Sequence, residues 1–312
     1  MKKKFLLSAV AVLLVAATAL LLSTARREGS DGILYRVKGE HATAYLLGSI
    51  HIGTAEMHPF GEAITEAMAD SDTFVFESDT VSAKSLQTLR QRQTLPPGRD
   101  LRSILGDALT DDVTAAYKAI GLSTAALSAR QPWAVINTLA VYSSAAEMDV
   151  SNVRKAIELG VENAVQEYAE KHGKLFVYLE TIDEIADTME SFSDALNRYL
   201  LQDEVDAILK RKPAEAAQTV NQWPSWWRSG NAEAFRDFYQ TSLEGADERL
   251  YLEYQDKLIT QRNQRMATRL DALLAQGGTY FVTVGLLHLV PEDDSVLSLL
   301  RDMGYAVERI AD

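Results

Sequence analysis

Cysteine is absent from all 312 residues. That excludes disulfides, thiolate metal ligands, a cysteine nucleophile and lipid attachment through cysteine. Any metal ion must therefore be held by histidine and carboxylates. Histidine is scarce as well, five in all, so two of them in matching contexts carry weight. No acid stands before Glu28, whereas Lys2, Lys3, Lys4, Arg26 and Arg27 do, and setting these aside takes the formal charge from −13 to −18 for residues 28–312. The acidic body has no basic stripe and no aromatic-basic RNA motif. Nucleic acid is thereby excluded as a partner, because phosphate neutralisation needs clustered Lys and Arg. Two catalytic signatures are also missing. There is no His-Glu-x-x-His helix and no Gly-x-Ser-x-Gly elbow, which leaves zincin and serine-hydrolase readings without support.

What is present is ordinary globular composition, 47% hydrophobic and 24% charged, which excludes a disordered chain and a multispanning membrane protein. Phe5–Leu22 is an uncharged stretch of 18 residues behind three lysines, so the positive-inside rule leaves Met1 in the cytoplasm and carries the body across the membrane. Its length lies between a signal-peptide core and a spanning helix, and Ser23-Thr24-Ala25 is an imperfect cleavage region. Residues 1–27 are read as a signal peptide or an uncleaved signal anchor, and 28–312 as one extracytoplasmic domain, secreted, periplasmic or held on the outer face of the membrane. In the anchored case the N-terminal segment is the membrane contact.

Ile33–Lys38 and Thr43–Ser49 are two β-rich runs around Gly39-Glu40-His41, a hairpin leading to His51. A helical run opened by Pro59 follows, with Ile64, Ala67 and Met68 at helical spacing, and then a buried strand Thr73–Phe76 ending at Glu77. Residues 82–172 read as helical with breaks at Pro96-Pro97-Gly98, Gly121 and Pro132, and Glu158–His172 as one helix stopped by Gly173. Lys174–Leu179 returns to strand. From 181 to 275 the pattern is a helical layer, interrupted at Lys212-Pro213 and at the segment from Trp223 to Gly230. Thr279–Val284 is an apolar strand, followed by Gly285-Leu286-Leu287-His288, a helix near Asp294–Met303 and a last strand Tyr305–Ile310. Strand, Gly-x-x-His, Pro, helix, strand thus occurs twice, and both second strands are read as ending with glutamate, Glu77 in one and Glu308 in the other, the outline of a pseudo-repeat. The fold class expected is α/β, a central mixed sheet with flanking helices and a large helical layer.

A histidine beyond the carboxyl end of a buried strand projects into the crevice where open α/β sheets bind ligands. His51 and His288 both occupy such places, and imidazole is the commonest metal ligand. Glu77 and Glu180 each end an apolar strand, where an unpaired charge would be costly. Two imidazoles with one or two carboxylates suit a divalent ion, Mn, Co, Zn or Fe. The competing reading of the glutamates is structural, as helix caps or as partners of Arg262 or Arg265. Trp223, Trp226 and Trp227 read as packing between helices, His41 as a hairpin residue and His172 as a helix-end residue.

Tyr45-Leu46-Leu47-Gly48-Ser49-Ile50-His51, Phe76-Glu77, Leu179-Glu180-Thr181, Arg262-Asn263 with Met266, and Val284-Gly285-Leu286-Leu287-His288-Leu289 resemble, in order, the motifs of the TraB/PrgY/GumN family, which includes the Tiki proteases. The resemblance covers roughly residues 33–310. It implies a fold similar to the erythromycin-esterase and ChaN-like α/β group. It also implies a metallopeptidase-like hydrolase acting on a peptide or protein, with His51, Glu77 and His288 as metal ligands and Mn or Co ahead of Zn. Glu180 and Arg262 match further motif positions, where catalytic, supporting or transition-state roles are expected, Glu180 as proton acceptor and Arg262 as the cation facing developing charge; Asn263 would assist. Tyr178 stands where relatives commonly have glycine, and Leu286-Leu287 are bulkier than the small residues common there, which leaves pocket size open. Since some members are associated with resistance to peptide pheromones, a non-catalytic protein that sequesters peptides is the alternative. An iron oxygenase fits the ligand types alone.

Overall fold

The structure, a computed structural model, describes residues 29–148, 150–210, 220–241, 247–291 and 293–311. The N-terminal segment and Lys212-Pro213 lie outside the described residues. Six strands, Leu34–Lys38 (β1), Ala42–Ser49 (β2), Thr73–Ser78 (β3), Leu175–Glu180 (β4), Gly278–Gly285 (β5) and Ala306–Ile310 (β6), form one sheet in the order β4-β3-β5-β2-β1-β6. β1 is antiparallel to both β2 and β6, and the other pairings are parallel. With its many helices this is an α/β fold, as the alternation of strand and helix patterns predicts. Among the described residues no helix is long and apolar enough to cross a membrane.

Strand order explains where a site can form. The connection from β2 passes beyond β5 to reach β3, while the connection from β5 passes beyond β2 and β1 to reach β6. All four of those strands run the same way, because two antiparallel steps separate β6 from β2. Right-handed crossovers in opposite directions put their helices on opposite faces. Adjacent β2 and β5 therefore flank a topological switch point, and the loops leaving them open a crevice at their carboxyl ends. Those loops carry the two Gly-x-x-His segments.

Large apolar side chains fill both sides of the sheet. Phe74 stacks on Phe281 at 5.2 Å and Phe76 on Phe176 at 5.7 Å, the same-face neighbours that parallel register demands. Ile64, Ala67 and Met68 are buried as their spacing predicts, in a helix that starts at Glu62, three residues after Pro59. The expected helix over 158–172 is found as Val161–Lys171, starting three residues later and parted at Leu159-Gly160 from a preceding helix, Val153–Glu158. The break has a packing cause, since Gly160 lies against the His51 carbonyl so closely that a Cβ there would overlap it. The tryptophan segment is itself a short helix, Trp223–Arg228. Its aromatics pack as expected, with Trp227 fully buried and its indole N–H donating to the Gly48 carbonyl at 2.8 Å.

The two Gly-x-x-His segments interlock. Leu286 of the second lies directly over Gly48 of the first, where a methyl group would overlap its Cδ1. Gly48→Ala should therefore destabilise the protein by about 1–3 kcal/mol through overpacking, read as a lower urea midpoint at unchanged m-value. An unchanged midpoint would mean that Leu286 swings aside freely.

Candidate functional site

Glu180 closes β4, and its direction is set by the next turn. Thr181 and Glu184 form a reciprocal capping box at the start of Ile182–Glu190, with Thr181 Oγ1 accepting from the Glu184 N–H at 3.2 Å and Glu184 Oε2 from the Thr181 N–H at 2.8 Å. The carboxylate is thereby aimed at the helix Gln261–Leu274. Arg262, Arg265 and Arg269 lie on one side of that helix, as spacings of three and four residues require. Arg269 donates to the Leu179 carbonyl and to Glu184, and Arg265 to Glu180 Oε1 at 3.1 Å. Arg262 reaches Glu180 Oε2 through Nε at 3.0 Å and Nη2 at 2.6 Å. The same Nη2 donates to Glu77 Oε2 at 2.7 Å. Arg262 is thus a buried bridge between the ends of β3 and β4. The Glu180 side chain has 0% exposure, and guanidinium donors occupy both of its oxygens.

Glu77 Oε1 accepts the Gly285 N–H. A Cβ on Gly285 would stand only 3.0 Å from that oxygen, so glycine lets the strand end approach the carboxylate. Burial alone would raise the Glu77 carboxyl, but the Arg262 and His288 charges, that N–H and His51 bring it down to about 2. Arg262 is held charged by the same pairings against the opposing pull of burial.

His288 ends the single turn Leu286–His288 and is buried. Its Nδ1 lies 2.5 Å from Asn263 Oδ1, and Asn263 in turn donates through Nδ2 to the Asp294 carbonyl at 2.7 Å. The amide oxygen therefore faces the ring, which assigns the proton to Nδ1 and leaves Nε2 as a lone pair. That Nε2 lies 3.8 Å from Glu77 Oε1. Burial, with the Arg262 charge adding to it, pushes the imidazole down to about 4, so it is neutral at pH 7.

His51 is oriented by other means. Its Nδ1 lies 2.5 Å from Glu162 Oε2, while the side chain is 71% exposed. The Glu162 charge and hydrogen bond raise the imidazole to about 9. His51, Glu77 and His288 are near enough to perturb one another's ionisation. Among the described residues, however, no group of three or more His, Asp or Glu side chains is arranged to hold a metal ion.

The profile of the TraB/PrgY/gumN family matches residues 33–309. The chain belongs to the TraB/PrgY/gumN family. No curated protein and no solved structure matches it significantly. In this TraB/PrgY/gumN chain the strand-end reading brings Glu77, Glu180, Arg262 and His288 into one contact network, with His51 at its rim. The structural alternative for the glutamates is present in the same network, as both pair with Arg262. Glu308 is elsewhere, opposite Arg36 in the β1–β6 ladder and ion-paired with it. His41 is in the hairpin turn and His172 caps its helix, with Nδ1 2.8 Å from the Tyr168 carbonyl. Sequence reasoning missed Glu162. Its available signal was Gly160-Val161-Glu162, a helix-start pattern inside what read as one helix.

Arg262→Met leaves two buried carboxylates without their shared cation and should cost about 3–5 kcal/mol in chemical denaturation. A loss under 1 kcal/mol, as exposed pairs give, would show that water replaces the guanidinium. A second outcome concerns pH. The folded His288 binds its proton only near 4, below the ordinary 6.5, so the unfolded chain is the more protonated state between those values. Stability should therefore rise with pH across that window, and His288→Gln should remove about 3 kcal/mol of the rise. An equally steep profile in the variant would locate the titrating group elsewhere.

Proposed function

We propose that this protein is a metal-dependent hydrolase acting on peptides outside the cytoplasmic membrane, with His51, Glu77 and His288 holding one divalent ion. The observation that carries the reading is the matched presentation of two imidazoles at the switch point. Each has Nδ1 engaged by an oxygen acceptor, which leaves Nε2 for a ligand, and this is how metal-binding histidines are held. A lone pair on His288 Nε2 facing the Glu77 carboxylate is mutually unfavourable until a cation stands between them. The donor chemistry thus fits a divalent ion, and the preference for Mn or Co over Zn rests on the family resemblance alone. When bound, such an ion would lower the pKa of a water and polarise a carbonyl.

The remaining residues position. Arg262 and the Gly285 N–H hold Glu77, Glu180 and Arg265 hold Arg262, and Asn263 holds His288. Glu180 was expected as a carboxylate that takes the proton and Arg262 as the cation facing developing charge, beside the supporting roles their motif positions imply. Their mutual pairing favours supporting roles and leaves proton transfer to groups at the crevice mouth. The same saturation favours one second reading, a protein that sequesters peptides without cutting them. The export segment in residues 1–27 supports placement outside the cytoplasm.

Titration of the full-length chain with Mn, Co and Zn tests the reading. Binding in the wild type that is lost in His51→Ala, His288→Ala and Glu77→Gln supports one shared site, and peptide cleavage abolished by chelation establishes hydrolysis. Absence of binding, or binding indifferent to all three changes, overturns the metal assignment. Peptide affinity retained under chelation without cleavage would establish the second reading.

A further inference from the structure

We infer that Glu162 is a positioning residue, the carboxylate that fixes the ring direction of His51 and aims Nε2 at the crevice. The consequence for metal affinity rests on the reading above; the orientation of the ring does not. The His51 ring is mostly exposed, so packing does not select its rotamer, and the contact to Glu162 is the hydrogen bond that its ring makes among the described residues. An ionised carboxylate only accepts, so the Nδ1 hydrogen points at Glu162 and Nε2 points away.

An exposed ion pair alone would mean little, because two long side chains on a mobile surface hold each other weakly. Here both partners stand on backbone joined at several points. The Val161 N–H donates to the Ile50 carbonyl at 3.1 Å and the Gly53 N–H to the Ala156 carbonyl at 2.8 Å. His58 Nε2 lies 2.9 Å from the Leu159 carbonyl. Gly160 lets the two chains touch at the His51 carbonyl, where a Cβ would overlap. The loop carrying His51 and the start of the helix Val161–Lys171 therefore form one unit. Glu162 stands in the first turn of that helix, where the helix dipole favours a carboxylate. The junction places the acceptor before the ring is set, which is what a positioning group requires.

The experiment compares full-length wild type, Glu162→Ala, Glu162→Gln and, as a control for charge on the same helix, Glu167→Gln. Two quantities are read: the downfield proton resonance of the hydrogen-bonded His51 Nδ1–H in metal-free protein, assigned by its loss in His51→Gln, and the dissociation constant for Mn or Co. Glu162→Ala is expected to lose the resonance and to weaken metal binding about 10–100-fold, the range for orienting partners of metal-bound histidines. Glu162→Gln keeps an acceptor, so it should retain the resonance and bind more tightly than the alanine variant; Glu167→Gln should match wild type. A resonance that persists in Glu162→Ala, or equal losses of affinity in the glutamine and alanine variants, would overturn the inference, since the second result is what a purely electrostatic role gives. If wild type binds no metal, the metal reading fails while the resonance still decides whether Glu162 orients the ring.

Discussion

A guanidinium taken out of water needs more than one partner, and Arg262 has two carboxylates. Its Nη2 alone contacts Glu77 at 2.7 Å and Glu180 at 2.6 Å. Desolvating three charges costs several kcal/mol per ion, and their attraction offsets this only when geometry is good and remaining lone pairs are satisfied. The structure meets that condition on every side. Arg265 takes the second oxygen of Glu180, and the Gly285 N–H takes the second oxygen of Glu77. Through these contacts the helix Gln261–Leu274, β3, β4 and the β5 loop become interdependent. A displacement of any one breaks a hydrogen bond to at least one of the others. Buried ion networks are weak evidence for stability, so the gathering of one at the crevice, beside a largely apolar sheet core, speaks for positioning.

The two histidines sit in opposite electrostatic settings although their sequence contexts match. His288 is buried and held by a neutral amide, which keeps its imidazole uncharged. His51 is exposed and held by a carboxylate, which favours the charged form. The asymmetry follows from the switch point, because the loops from β2 and β5 leave toward opposite faces. One meets the start of Val161–Lys171 and the other meets Gln261–Leu274. The pair thus combines one buried, neutral imidazole with one exposed imidazole drawn toward its charged form. The pseudo-repeat in the sequence is therefore a repeat of element order, strand, helix, strand, and not of the surroundings of its histidines.

Periodicity sufficed for the elements that packing governs. β1 to β6 lie within a residue or two of the expected strands, because each is an apolar or alternating run whose burial the sheet enforces. Glu77 and Glu180 were legible for the same reason, since a carboxylate ending an apolar strand must have a partner. Glu162 was not, because its role depends on a contact 111 residues distant along the chain. The local pattern Gly160-Val161-Glu162 marks it as a first-turn acid, unlike Glu167 or Glu170, but does not reveal the partner. The break at Gly160 was missed on similar grounds: the residue that forbids a side chain there is the His51 carbonyl, which helical spacing cannot reveal. Short-range pattern thus reached the scaffold and the strand-end charges, and failed where one loop is shaped by another.

That interdependence also bears on the residues that depart from the family's motifs. Leu286 is bulky where the family resemblance leads one to expect a small residue, and from sequence it could have filled the pocket. In the fold it turns back over Gly48 and is buried, so its volume is absorbed between the two loops beneath the crevice. Tyr178 is the other departure, and it stands 37% exposed on β4 at the sheet edge, two residues before Glu180. A phenol there has an apolar face and a polar tip, the combination favoured where a partner is held without being engulfed. Of the two departures, then, Leu286 acts on packing between the histidine loops, whereas Tyr178 leaves that packing alone and stays partly exposed on the edge strand.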